Sequence, residues 1–195
     1  MHKYFTIILC LVTAAVMAQG KVVAGDFKNL ASVKEYNVVF DYTNIKVAHF
    51  ETEEDFLKDK MSKREGEKAE NFRTKWFADR EANYEPKFIA YFNKRMEGKG
   101  VTVAKNPAAP YTMAIKTLWL YPGYNVGVGL EEAKITAVVT VFESANPSNV
   151  LLKVEYDKSP GIEPEEYAFD PGNRIAGAYE KLAKNFTMQL RRFVK

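Results

Sequence analysis

The sequence predicts an α+β fold, with helices packed mainly on one face of a single mixed or antiparallel sheet of about four or five strands. Three observations carry this. A period-2 run covers Tyr36 to Tyr42, a helical block follows from Thr52 to Gly98, and strand-like runs then lead to a clean amphipathic helix from Ile175. The resulting order is β-α-β-β-β-α.

The first eighteen residues stand apart from that fold. His2 and Lys3 give a short polar start, Phe5 to Val16 is apolar apart from Thr6 and Thr13, and Val16-Met17-Ala18 offers a small-residue cleavage site. This reads as a Sec signal peptide cut after Ala18, leaving residues 19–195 as one α+β domain. The apolar stretch is shorter than the roughly 20 residues a helical membrane span needs. The expected location is therefore periplasmic or secreted. The one cysteine, Cys10, lies inside the signal. Leu9 precedes it, where a bacterial lipobox wants a small residue, so lipidation is not expected.

In the mature chain, Tyr36, Val38, Phe40 and Tyr42 alternate with Asn37, Val39 and Asp41, as in a half-buried strand. Thr43-Asn44 is turn-forming. Thr52 is the N-cap of a helix whose first turn carries Glu53, Glu54 and Asp55, and which pauses near Gly66. A second helix presents Phe72, Trp76 and Phe77. Pro86 starts a third, with Phe88, Ile89, Phe92 and Met96 as its apolar stripe and Gly98 beyond its end.

The second half turns to strands. Val101 to Ala104 is short, and Asn106 to Pro110 is a stiff connector. Tyr111, Met113, Ile115, Thr117, Trp119 and Tyr121 then alternate in a long strand, which an apolar second face marks as central. Pro122-Gly123 ends it. Ile135 to Glu143 is another strand, and Ala145 to Asn149 is hairpin chemistry leading into Val150 to Tyr156. After a Pro/Gly-rich loop from Ser159 to Asn173, Ile175, Tyr179, Leu182, Phe186, Leu190 and Phe193 form the stripe of a closing helix.

Composition excludes several functions. Loss of Lys3 with the signal leaves a net charge of +2, so no nucleic-acid partner is expected. The twelve acidic and twelve basic residues between Glu51 and Gly100 are interspersed, which reads as a solvated helical face. The mature chain retains His49 alone among its histidines and no cysteine, so neither a metal site, a disulfide nor thiolate chemistry is expected. No G-x-S-x-G accompanies its serines. No catalytic residue is assigned and no cofactor is implied. His49 as an acid/base centre is the weakest enzymatic alternative.

Two constellations remain as candidate ligand contacts. Glu163, Glu165, Glu166 and Asp170 lie in the Pro/Gly-rich loop. Two such carboxylates would serve sugar chemistry, although a solvated acidic loop is the commoner outcome. Trp119, Tyr121 and Tyr124 fall on or beside one strand with Tyr111. If uncovered they make a stacking platform for sugars or an apolar partner; otherwise they are core beneath the closing helix. Gly123 to Gly129 lacks the order of a phosphate cradle, and a backbone needing positive φ explains it better. The sequon Asn185-Phe-Thr187 falls in mid-helix and is discounted.

Several stretches together carry a resemblance. Val39-Phe-Asp-Tyr42, Phe50-Glu-Thr-Glu-Glu54, Tyr84-Glu-Pro-Lys-Phe88, Tyr111 to Thr117, Tyr121 to Gly127, Glu143 to Leu152 and Phe169 to Ile175 span nearly the whole mature chain. They resemble a family of secreted, uncharacterised proteins common in Bacteroidota, which supplies no activity and no catalytic residues. The element order is also similar to small α+β domains of envelope assembly and periplasmic binding proteins, a fold analogy only. The expectation is a non-enzymatic, envelope-associated binding or assembly protein, with an envelope protein or a glycan as partner. The alternative is a carbohydrate-binding or carbohydrate-acting protein.

Overall fold

In the computed structural model the described residues are 20–126, 128–161 and 169–195. Residues 1–18, where the sequence reading expects a signal peptide, and the acidic residues Glu163, Glu165 and Glu166 lie outside them. Strand β1 is Lys21–Gly25, β2 Glu35–Asp41, β3 Lys46–Val47, β4 Thr102–Ala104 and β5 Tyr111–Tyr121. Strands β6 (Tyr124–Asn125), β7 (Leu130–Glu131), β8 (Lys134–Glu143) and β9 (Asn146–Pro160) follow. The helices are α1 (Glu53–Ser62), α2 (Glu67–Asp79), α3 (Glu85–Met96) and α4 (Pro171–Leu190). The fold is mixed α+β around a sheet, as the sequence predicts.

The helical block between β2 and β5 forces a crossover, so these strands run parallel. Short connections make β5, β8 and β9 an antiparallel meander. The sheet order is β1-β9-β8-β5-β2-β4, with β3 alongside β5 beyond the end of β2. That is seven strands rather than four or five. Strand β4 falls on the short strand expected at Val101 to Ala104, whereas β1, with five residues, is too short to display a period of its own.

Strand β5 does not keep the alternation its sequence suggests. Its register with β8 slips between Thr117 and Trp119. Before the slip, Met113, Ile115 and Thr117 face the helices and are fully buried; after it, Leu120 takes the inner face. Trp119 and Tyr121 are turned outward and stay half-buried. A bulge re-aims side chains in this way by adding one unpaired residue. The core reading of these aromatics is therefore corrected: they do not lie beneath α4. The hairpin into β9 also differs. Glu143 pairs with Asn146 and Phe142 with Val150, so residues 147–149 bulge where Pro147 has no N–H to offer the ladder.

Helix α4 covers the inner face. Ile175, Tyr179, Leu182, Phe186 and Leu190 are fully buried. Phe186 lies 5.3 Å from the Phe27 ring and 6.2 Å from that of Phe92, and Tyr179 stacks on Tyr84 at 5.5 Å. The helix stops at Leu190, so Phe193 leaves the stripe and is 40% exposed, while Val194 is buried in its stead. Asn185 is buried and donates to Ser159, so the sequon is closed to a glycan in the folded chain.

Thr52 caps α1 as expected, its hydroxyl accepting from the Asp55 amide. Helix α2 does not break before Pro86. It widens into a π-helical turn at Arg80–Tyr84, and Pro86 falls in the first turn of α3. The charged face is not wholly solvated. Asp79 and Glu85 flank the π turn and are each 6% exposed. Asp79 holds Lys75 at 2.9 Å and Asn83 at 2.7 Å, and Glu85 pairs with Lys105. Buried carboxylates need such partners, and pattern alone does not reveal them.

Candidate functional site

The carboxyl end of β5, the segment after β3, the α1–α2 hairpin and the first turn of α4 surround a cleft of about 400 Å³. Phe56 and Trp76 are its buried floor; Phe50, Phe72 and Tyr121 form half-buried walls, with exposed Tyr124 at the rim. The cations Lys60, Arg64 and Arg174 reach the same space, and exposed His49 stands at its edge. Among the described residues the lining contains no carboxylate.

Local chemistry holds these groups in place. The Trp76 indole N–H donates to Glu53 Oε1 at 2.7 Å, and Arg80 pairs with the same carboxylate, tying α2 to the start of α1. Gly66, at φ 52°, opens the turn between the two helices. Ala48 adopts φ 54°, a conformation costing an ordinary residue on the order of 1–2 kcal/mol. Its amide donates to the Leu120 carbonyl at 2.7 Å, and its carbonyl accepts from the Trp119 indole N–H at 2.8 Å. These bonds pin the strained residue against β5 and present His49 and Phe50 to the cleft. Nothing in the sequence marks Ala48 for this role.

The cations are also positioned. The Arg64 guanidinium lies 4.1 Å from the Phe72 ring centre and donates to the Lys60 carbonyl. Lys60 sits 5.4 Å from the Phe56 ring centre and 3.5 Å from Asp59. Arg174 Nε donates to the Pro122 carbonyl at 3.1 Å and Nη2 to that of Gly123 at 3.3 Å. Burial holds the Arg174 guanidinium below its usual range, against the opposing pull of Asp170. A cation flat on a ring keeps its charge while covering apolar surface, so the walls are at once aromatic and positive.

Of the residues expected as ligand contacts, Tyr121 and Tyr124 line the cleft. Trp119 adjoins it, its ring stacked on Tyr121 at 6.2 Å and 10°. Lys158 lies over Trp119 at 5.7 Å and Lys134 over Tyr121 at 5.6 Å, so this outward ledge is partly screened by cations. The Tyr121 hydroxyl donates to Glu131 at 2.7 Å; burial, then that carboxylate, pushes its pKa up to about 12. Asp170 has another role. Its Oδ1 accepts from the amides of Gly172 and Asn173, capping α4, and its Oδ2 lies 3.4 Å from Lys75. Sequence reasoning missed Phe50, Phe56, Phe72, Trp76 and the three cations as one surface, because only the chain fold joins the hairpin to β5.

In comparisons with protein-family models, curated proteins and solved structures, none matches this chain. Among the described residues, no helix is long and apolar enough to cross a membrane.

Proposed function

We propose that this chain is an exported, envelope-associated binding protein that holds a small ligand in the aromatic cleft without transforming it. The observation that carries this reading is the composition of the cleft: about 400 Å³ lined by six aromatic rings and three cations. Preformed concave sites rich in aromatic surface with a few placed polar groups are what small-molecule recognition uses. The cleft lies outside the carboxyl ends of parallel strands β3 and β5, the usual place for ligands in sheets of this kind. The signal-like residues 1–18 and the resemblance to secreted Bacteroidota proteins support the location.

Trp76 lies in the floor, so titration of the purified protein with mono- and disaccharides and aromatic acids is expected to shift its fluorescence saturably. Trp76→Phe removes that signal at its source, and Tyr121→Ala weakens binding seen by calorimetry. Turnover of any bound probe overturns the non-enzymatic reading. The coplanar Trp119–Tyr121 pair favours carbohydrate as a second reading, since stacked rings at one edge of a cleft match the apolar face of a sugar. A glycan array read with wild type and Trp119→Ala tests it: equal signals would remove the ledge from recognition.

A further inference from the structure

We infer that the occupant of this cleft is a ring-bearing carboxylate, its ring lying on the aromatic walls and its charge met by Lys60 and Arg64. The inference rests on the binding reading above and adds the charge of the ligand. The argument is one of balance. Lys60 and Arg64 reach one small space whose lining, among the described residues, has no acidic side chain. Elsewhere on the same elements charges are matched: Lys63 with Asp59, Arg73 with Glu54, Lys75 with Asp79 and Asp170. Lys60 shares Asp59 with Lys63, which holds that carboxylate at 2.7 Å against 3.5 Å for Lys60. An ammonium and a guanidinium one helical turn apart, both over ring faces, leave N–H donors for an anion entering from solvent.

The shape supports the same class. Arg64 is exposed and follows the end of α1, so its guanidinium closes on a ligand with little cost to the fold. Arg174 is held differently, anchored to the Pro122 and Gly123 carbonyls, and supplies a fixed positive wall. A carboxylate held by Lys60 and Arg64 leaves its ring among the aromatic walls of the cleft. A volume of about 400 Å³ suits one or two rings, not a polymer segment. Two sources share this chemistry, an acidic saccharide and an aromatic acid.

Isothermal titration of the full-length protein with digalacturonate and with its dimethyl ester, and in parallel with indole-3-acetate and its methyl ester, tests the inference. In each pair the ring is constant and only the charge changes. At least one acid is expected to bind about tenfold more tightly than its ester, the size of a charge-assisted contact. The preference should shrink with added salt and collapse toward unity in Lys60→Gln/Arg64→Gln, whose melting temperature stays near wild type because both side chains are at the surface. The pair that responds identifies the source. Esters binding as well as acids would overturn the charge inference while leaving the cleft a binding site. An acid preference that survives the double substitution would overturn the assignment to Lys60 and Arg64. Failure of all four probes to bind would overturn both this inference and the binding reading.

Discussion

At the scale of single residues, two positions separate backbone constraint from charge. Gly123 has φ 65°, and a Cβ there would overlap the Glu131 carbonyl oxygen and, at 2.7 Å, the Glu132 carbonyl carbon. Gly123→Ala should therefore destabilise the protein by about 1–3 kcal/mol, through both strain and overlap, measured as the denaturation midpoint. Because Gly123 also lines the cleft, that variant should lose probe binding along with stability. Asp41 is a case of charge. A hydrogen bond from Lys116, then one from the Thr43 hydroxyl, lowers its carboxyl from the ordinary 3.8 to about 2. A depressed folded value stabilises the folded state above the unfolded pKa, and that contribution vanishes as pH falls through the folded pKa. The stability gap between wild type and Asp41→Asn should thus be constant from pH 7 to pH 5 and close between pH 4 and pH 2. A gap that persists at pH 2 would show that the Lys116 pair is not its source.

At the scale of elements, the sequence discloses what is periodic and hides what is displaced. Strand β2, helix α4 and the Thr52 cap follow directly from alternation, a 3.6-residue stripe and a capping hydroxyl, and all three form as expected. The faces of β5 do not follow, because one slipped register after Thr117 exchanges inside for outside and the sequence around Leu118 carries no Gly or Pro to announce it. The acidic loop shows the same limit in another form. Asp170 looks like a ligand contact by proximity to Glu163, Glu165 and Glu166, yet its carboxylate is committed to the first amides of α4. Asp170→Ala should cost about 0.5–2 kcal/mol, the range for an N-cap, and leave the affinity of the acidic probes within about twofold. A loss of stability near zero, or binding that disappears in a stable variant, would return Asp170 to the ligand site. The cleft itself was the least readable feature. Its rings come from residues 50 to 76 and 121 to 124, brought together only by the crossover that places β3 beside β5.

At the scale of the whole molecule, the question is whether the hairpin that supplies half of the cleft folds with the sheet. Phe56, Leu57 and Trp76 from α1 and α2 belong to the same buried cluster as Met113 and Ile115 of β5 and Tyr179 of α4. The hairpin is further tied to β3 through Phe50, whose ring lies 5.8 Å from that of Phe56. A continuous core predicts one cooperative transition for residues 19–195. The chain provides its own reporters, since its two tryptophans fall on opposite sides of this question: Trp76 in the hairpin and Trp119 on the outer face of the sheet. In urea, Trp119→Phe reports only on Trp76 and Trp76→Phe only on Trp119. Each fluorescence transition should coincide with far-ultraviolet circular dichroism of the same variant, with equal midpoint and slope. If the Trp76 transition instead preceded the dichroism, the hairpin would be a separately folding flap, and the cleft would be assembled by ligand binding and not by folding. Saturating acidic probe would then move the Trp76 transition far more than the Trp119 transition, whereas a single cooperative unit moves both by the same amount.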